Sequence, residues 1–227
     1  MDLKLHFQRF EFKYLMNEMT AKQVMASLLN NHLEWDPYLK STPDHAYIVT
    51  SLYYDSPNLK CYQEKIAGMD KRFKLRQRFY GEKYVDGQPL FYEIKNKKGA
   101  VIIKNREVNA PSDTFEYLRQ VNQMQPNLLV TYRRQALQGK FQERLRVTFD
   151  SDIRVIPATS IADFGEPVAV APGAVVMEVK YNNTLPGWFD RIITKHELTR
   201  VAFSKYCVGI ENCPSLLIKA GFYNNID

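Results

Sequence analysis

The sequence predicts an α+β fold in which about eight antiparallel strands form a barrel, with helices appended at the start, middle and end of the chain. Aromatic side chains favour strands, and the 227 residues include 14 tyrosines and 13 phenylalanines. The predicted strands follow one another without a helix after each, which argues against a doubly wound parallel sheet. No linker rich in proline, glycine or serine divides the chain, so residues 1–227 are expected to form one domain.

The individual elements follow from the spacing of apolar residues. Strands are predicted over residues 3–14, 47–54, 72–84, 90–97, 101–108, 128–136, 144–150 and 175–181. Asp86-Gly87 is typical of a tight hairpin turn between two of them. A first helix is predicted to have Thr20 as its cap, and a second is predicted to begin at Ser112 and Asp113. Further helices are predicted over residues 188–195, 199–207 and 215–220. The segment 157–173 is rich in proline and glycine and is expected to be a loop.

The net charge and the cysteine and histidine content restrict the function classes. A formal charge of +6 at pH 7 indicates an anionic partner, which charge alone leaves open among nucleic acid, a membrane surface and phosphate. The three cysteines form no C-x-x-C pair and the four histidines are scattered, which disfavours a disulfide framework and a Cys/His zinc site. The N-terminus shows no apolar signal segment, and no apolar run is long enough to span a membrane. A cytoplasmic protein is therefore expected, with attachment to a membrane through a partner left open.

Six predicted strands place cationic side chains on one face, because residues two positions apart in a strand point the same way. The clearest case is the segment 72–80, where basic and apolar residues alternate. The charged faces comprise Arg9, Glu11 and Lys13; Arg72, Lys74, Arg76 and Arg78; Glu93, Lys95 and Lys97; Lys104 and Arg106; Arg144 and Arg146; and Glu178 and Lys180. For a single strand, the simplest explanation is the solvated face of an antiparallel sheet.

Six basic faces in one chain favour a binding function, because like charges on neighbouring strands repel one another. If the strands close into a barrel, these faces can line its lumen, where a polyanion would neutralise them. Arginine binds phosphate oxygens with two parallel hydrogen bonds, and lysine offers a point charge. The glutamates that stand two residues from a lysine would suit a hard divalent cation, which takes oxygen ligands.

Nine short motifs carry a family resemblance. They are RFEFKY (9–14), SLYYDS (51–56), KLRQRFYG (74–81), YEIKNK (92–97), IKNRE (103–107), TYRRQA (131–136), RLRVTFD (144–150), MEVKY (177–181) and FSKY (203–206). In this order they resemble the VTC domain, the polyphosphate polymerase domain of the vacuolar transporter chaperone and its bacterial relatives. That domain belongs to the triphosphate tunnel metalloenzymes of the CYTH-like superfamily, whose fold is an eight-stranded antiparallel tunnel. The resemblance covers nearly the whole chain.

The resemblance implies roles for individual residues. Those implied to grip phosphates during catalysis are Lys13, Arg76, Arg78, Lys95, Arg134, Arg146 and Lys205; Arg133 beside Arg134 leaves the register of that motif open. Lys74, Lys104 and Lys180 are expected to complete the cationic cage. Glu178 is the implied metal ligand, and Glu11 is either a second ligand or an ion-pair partner of a lysine. One departure is that Arg9 replaces the first acid of the E-x-E-x-K pattern found in many tunnel hydrolases, which favours the polymerase branch.

The activity implied by the resemblance is transfer of the γ-phosphoryl group of ATP to a growing polyphosphate, assisted by Mn²⁺ or Mg²⁺. Such a transfer depends mainly on positioning and on neutralisation of spreading charge. A triphosphatase of the same fold and a non-catalytic polyphosphate or nucleotide sensor for a membrane-protein partner remain alternatives. Specific nucleic-acid binding is not expected, because the basic residues alternate within strands and no RNP-like aromatic motif is present.

Overall fold

A computed structural model describes residues 9–99, 101–140, 145–163, 165–182 and 184–222. The chain divides into two compact units. The first unit comprises Met1–Tyr47, Arg134–Ser151 and Gly173–Phe203, and the second comprises Ile48–Arg133, Asp152–Pro172 and Ser204–Asp227. The single domain expected over residues 1–227 stays a prediction. No helix in the described ranges is both long enough and apolar enough to cross a membrane.

Antiparallel strands dominate the structure, which confirms the predicted α+β class. The strands are β1 (Arg9–Asn17), β2 (Leu33–Trp35), β3 (Tyr47–Asp55), β4 (Lys71–Tyr80), β5 (Phe91–Lys98), β6 (Val101–Val108), β7 (Gln125–Gly139), β8 (Arg146–Pro157), β9 (Val168–Ala169) and β10 (Ala174–Asn182). Eight of them follow the hydrogen-bonded order β1-β10-β8-β7-β3-β4-β5-β6, while β2 pairs with β7 and β9 with β8. The short strand β9 lies in the segment that the sequence predicts to be a loop.

Six α-helices accompany the strands in the described part of the chain. They are α1 (Glu18–Asn31), α2 (Lys60–Ile66), α3 (Asp113–Val121), α4 (Gly187–Lys195), α5 (Lys205–Glu211) and α6 (Pro214–Lys219), and a short 3₁₀ turn covers Pro37–Leu39. Of the two residues predicted to open α3, Ser112 is the cap, since its hydroxyl accepts a hydrogen bond from the Phe115 amide at 3.3 Å, and Asp113 is the first residue of the helix. Thr20 was the wrong cap for α1, because Asn17 Oδ1 accepts from the Thr20 amide at 2.8 Å and the helix therefore begins earlier.

Two further element predictions were wrong for identifiable reasons. The strand predicted to reach residue 84 ends at Tyr80, because Gly81 has a φ of 133° that turns the chain. The helix predicted over 199–207 starts only at Lys205; before it, the Val201 amide donates to the Lys13 carbonyl at 2.9 Å, so this segment follows β1 instead of coiling. Of the strands predicted over 3–14 and 144–150, residues 3–8 and Arg144 lie outside the described residues.

In the first unit, the apolar core forces the charged face of the sheet to the other side. Val24 and Leu28 of α1 and Phe189 of α4 are fully buried in one cluster with Met177 and Val179 of β10. Side chains alternate along a strand, so Glu178 and Lys180, which alternate with these two core residues, face away from the helices. The core thereby sets the direction in which the charged side chains of β10 point.

In the second unit, α5 packs unusually close to the sheet. A Cβ on Gly209 would lie 2.7 Å from the Leu128 side chain of β7 and 2.9 Å from that of Val155 of β8. Contacts this short force neighbouring atoms to move, so glycine is the residue that permits the approach. This close packing holds α5, which begins with Lys205 and Tyr206, against the two strands.

Candidate functional site

A row of side chains crosses four neighbouring strands of the second unit. Tyr53 of β3 stands opposite Arg76 of β4, which stands opposite Glu93 of β5, which in turn stands opposite Arg106 of β6. Directly opposed residues on one face are close enough for side-chain contact. The row therefore brings a single carboxylate between two guanidinium groups.

Glu93 is the centre of what we call the Glu93 cluster, which consists of Glu93, Arg76, Arg78, Lys104 and Arg106. Arg76 places Nε and Nη2 each 2.6 Å from Glu93 Oε2, so both nitrogens contact the same carboxylate oxygen. On the other oxygen, Arg106 Nε and Nη2 lie 2.7 and 2.6 Å away, and Lys104 Nζ lies at 2.5 Å. Arg78 Nη1 completes the group at 3.8 Å from Oε2. One carboxylate that is 1% exposed thus faces four cations, which leaves an excess of positive charge.

The excess charge shifts the ionisation of the groups in and beside the Glu93 cluster. Burial by itself would raise the pKa of Glu93, but Arg76, Arg78 and Lys104 hold that pKa well below its usual value. Burial and the Arg76 charge lower the pKa of Lys104 to about 7, although 36% of its side chain is exposed. Burial would raise the pKa of Tyr53, yet the charges of Arg76, Arg78 and Lys74 lower it to about 8.

The guanidinium groups of β4 are also held by hydroxyl groups. Arg78, which is 6% exposed, donates from Nε to Ser51 Oγ at 3.0 Å and from Nη2 to the Tyr132 hydroxyl at 3.3 Å. Arg76 Nη1 donates to the Tyr53 hydroxyl at 2.8 Å. These three hydroxyl groups were not among the residues predicted from the sequence. The two-residue alternation that was applied to β4 also holds for β3, where it places Ser51 and Tyr53 on one face.

A second row in the same unit consists of lysines. Lys74 of β4 stands opposite Lys95 of β5, and Lys95 stands opposite Lys104 of β6. Lys74 Nζ contacts Ser204 Oγ at 3.1 Å and Cys207 Sγ at 3.7 Å. Directly opposed like charges repel one another, and Lys104 is also paired with Glu93.

The remaining predicted cation of this unit is Lys205, at the start of α5. Its Nζ lies 4.6 Å from the centre of the Tyr132 ring, the same tyrosine whose hydroxyl binds Arg78. The second unit therefore contains Lys74, Arg76, Arg78, Lys95, Lys104 and Lys205 from the predicted set. All six are connected. Arg76, Arg78 and Lys104 contact Glu93, and Arg78 and Lys205 both contact Tyr132. Lys74 and Lys95 stand in the lysine row with Lys104.

The first unit contains the other predicted residues, four of which form what we call the Lys13 cluster: Glu11, Lys13, Glu178 and Lys180. Lys13 and Glu178 stand opposite one another on β1 and β10, as do Glu11 and Lys180. Lys13 Nζ lies 3.3 Å from Glu11 Oε1 and 3.6 Å from Glu178 Oε2, and it donates to the Phe203 carbonyl at 3.0 Å. Lys180 pairs with the other oxygen of Glu178.

The two carboxylates of the Lys13 cluster are the predicted metal ligands. Glu11 and Glu178 are both about nine-tenths buried and both contact the same ammonium group. In the described ranges, no group of three or more His, Cys, Asp or Glu side chains could hold a metal ion. The pair does not form an all-protein cage, but it fits a cation such as Mg²⁺, which takes one or two carboxylates and completes its shell with water and phosphate oxygens.

The two remaining predicted arginines are paired with acids that the sequence analysis did not connect to them. Arg134 donates from Nε and Nη2 to the two oxygens of Asp150 at 2.6 and 2.7 Å, and Asp150 is fully buried. Arg146 Nη2 lies 2.8 Å from Asp36 Oδ2, and 45% of the Arg146 side chain is exposed. The expectation that all of the basic faces line one channel stays a prediction.

A family model supports the resemblance suggested by the motifs. The family model of the VTC domain matches residues 8–121 and 103–213. No curated protein sequence matches the chain. A solved structure of a putative adenylate cyclase from Bacillus halodurans is similar in fold, with a TM-score of 0.50 and 12% identity over 87% of this chain and 95% of that one. A putative adenylate cyclase from Vibrio parahaemolyticus has a TM-score of 0.48 and 11% identity over 88% of this chain and 97% of that one.

The two matched segments contain every motif from RFEFKY to FSKY, together with both side-chain clusters. They extend through most of the chain and overlap in the middle. The chain belongs to the VTC domain family.

Proposed function

We propose that this protein is a polyphosphate polymerase, which transfers the γ-phosphoryl group of ATP to a growing polyphosphate chain and releases ADP. The observation that carries this proposal is the Glu93 cluster, in which four cations surround one carboxylate on a sheet face that also carries a lysine row. A chain of phosphates supplies the evenly spaced negative charges that such a face would neutralise. Membership in the VTC domain family supports the same substrate class.

The chemistry requires little beyond positioning. An oxygen of the terminal phosphate attacks the γ-phosphorus of ATP, and the bond from that phosphorus to the bridging oxygen of ADP breaks. The attacking phosphate oxygen is already deprotonated, so no general base is needed. Arg76, Arg78 and Lys95 would bind the phosphates and stabilise the charge that spreads over the transferred group, with Lys74, Lys104 and Lys205 completing the set.

In the first unit, we assign Arg134, Arg146, Lys13 and Lys180 to phosphate binding, and Glu178 with Glu11 to the metal. Mn²⁺ or Mg²⁺, when bound, would neutralise phosphate oxygens. Lys13 pairs with both carboxylates and Lys180 with Glu178, so the two lysines would hold these metal ligands in place. The proposal includes a cytoplasmic location, where a membrane-protein partner could hold the protein against the inner face of a membrane.

Incubation of the purified protein with ATP and Mn²⁺, followed by separation of the phosphate products on a gel, tests this activity. Long phosphate chains that appear together with ADP are the expected result. Release of inorganic phosphate without chains would instead identify a triphosphatase of the same fold. Binding of tripolyphosphate without any turnover would identify a sensor.

The metal role of Glu178 gives a second prediction. Glu178→Gln should lower turnover at least about 10- to 100-fold, the loss that is typical even when only a supporting group of a metal site is removed. Tripolyphosphate should still bind, because the substitution removes no cation. Rates over a range of Mn²⁺ concentrations and calorimetric titration with tripolyphosphate measure the two effects.

A matched control is Glu34→Gln in the same unit. Glu34 pairs with Lys40 at 3.2 Å and is 37% exposed, so its loss should leave turnover unchanged. Wild-type turnover in the Glu178→Gln protein, with the same dependence on Mn²⁺, would remove Glu178 from the metal site.

A further inference from the structure

Asp55, at the end of β3, is a buried carboxylate whose two oxygens are both occupied. Oδ1 accepts from the amides of Ser56 and Cys61 at 2.8 Å each. Oδ2 accepts from the Tyr62 amide at 3.1 Å and from the Tyr206 hydroxyl at 2.5 Å. Asp55 is 1% exposed, so water does not compete for these hydrogen bonds. The carboxylate thus ties the first turn of α2 to the first turn of α5.

The Tyr206 ring lies directly under Lys74. Lys74 Nζ is 4.7 Å from the ring centre, and its other contacts, Ser204 Oγ and Cys207 Sγ, flank Tyr206 in the chain. Tyr206 is 2% exposed and its ring also packs on Tyr53 at 5.1 Å between centres. The ammonium group of Lys74 therefore contacts the first turn of α5. The hydrogen bond from Tyr206 to Asp55 orients that turn.

These contacts of Lys74 matter because lysine has a flexible side chain. Its ammonium group sits on four rotatable methylene groups, and an ordered position must overcome that freedom. Lys74 begins the row that continues with Lys95 and Lys104, so a side chain of like charge stands directly opposite it. A cation–π contact and two polar contacts together can hold it.

We propose that Asp55 and Tyr206 are positioning residues that hold Lys74 in place for a phosphate ligand. This inference rests on the proposed function, because it assumes that the lysine row receives phosphate. Neither residue touches the ligand. They act through the ring of Tyr206 and the first turn of α5. By ordering Lys74 before the ligand binds, they reduce the conformational entropy that its side chain loses on binding.

Tyr206→Phe is the test, because it keeps the ring and removes only the hydroxyl group bound to Asp55. We expect the affinity for tripolyphosphate to fall about 2- to 10-fold, the range for one lost hydrogen bond. Tyr62→Phe is the matched control. The Tyr62 hydroxyl also joins α2 to α5, but it does so by donating to Glu211 at 3.4 Å. Calorimetric titration of both variants, with thermal melts, gives the comparison.

A double-mutant cycle separates positioning from general loosening of the fold. In a Lys74→Met background, the effect of Tyr206→Phe on affinity should largely disappear, because the side chain that it positions is gone. An undiminished effect in that background, or equal losses for Tyr62→Phe and Tyr206→Phe, would overturn the inference. Unchanged affinity in Tyr206→Phe together with a large loss in Arg76→Ala would overturn it and leave the proposed function intact. A wild-type protein that binds no tripolyphosphate would overturn both.

Discussion

Replacement of Glu93 by glutamine is expected to lower the free energy of unfolding by about 3–5 kcal/mol, the usual effect of removing one partner from a buried ion pair. The effect is large because Glu93 is 1% exposed and contacts four cations, which would be left to repel one another. Glutamine has nearly the same shape, so the change in packing is small. Urea unfolding at pH 7 measures the difference.

The same substitution should remove an acid-dependent part of the stability. The surrounding cations depress the folded-state pKa of Glu93 below the value of about 4.3 for an unfolded glutamate. The stabilisation from this carboxylate is therefore complete above the unfolded-state pKa and is lost as the pH falls from about 4 toward the lower folded-state pKa. The difference in stability between wild type and Glu93→Gln should thus shrink as urea unfolding is repeated at successively lower pH.

Tripolyphosphate should stabilise the Glu93→Gln protein more than it stabilises the wild type. The bound anion would supply the negative charge that the substitution removed, and a ligand that binds only the folded state raises the melting temperature. Glu34→Gln is the control for loss of a carboxylate on a partly exposed pair. Equal stability of wild type and Glu93→Gln, or an equal response to tripolyphosphate, would mean that Glu93 does not organise the cations.

The side of β4 on which Arg76 and Arg78 lie could be predicted from the sequence. Alternation along β4 placed Arg76 and Arg78 on one face and Leu75 and Phe79 on the other, and the structure agrees, with Leu75 and Phe79 buried in the core. This worked because the two-residue period of a strand is a local property. Register between strands is not local, so the meeting of Glu93 with arginine and lysine side chains from both neighbouring strands could not be derived.

Contacts between distant segments were missed for the same reason. Asp55 and Tyr206 are 151 residues apart, and only the packed structure joins them. No helix was predicted soon after Asp55, yet helix α2 begins at Lys60, where the Asp55 carboxylate accepts from the Cys61 and Tyr62 amides. Side-chain caps supplied from outside a helix are difficult to recognise without the fold.

Arg78→Ala is expected to weaken tripolyphosphate binding by roughly 10- to 150-fold, the equivalent of about 1.5–3 kcal/mol for a charge-assisted bond. Arg78 is nearly buried, and Ser51 and Tyr132 hold its guanidinium group in one orientation. Such a group has little freedom left to lose when it binds phosphate. Arg78→Lys should recover only part of the affinity, because an ammonium group cannot reach both hydroxyl groups and also bind two phosphate oxygens.

Lys71→Ala is the control on the same strand, since Lys71 is exposed at the start of β4. A screened surface charge contributes about 0–1 kcal/mol, so its loss should change the affinity less than about fivefold. Titrations at one ionic strength, with thermal melts to show that each variant is folded, make the comparison. If Arg78→Ala and Lys71→Ala lose similar affinity, tripolyphosphate is attracted only by the net charge of +6 and the Glu93 cluster is no binding site. A loss confined to Arg78 would instead require a ligand held by a specific guanidinium group, because diffuse attraction does not distinguish two cations on one strand.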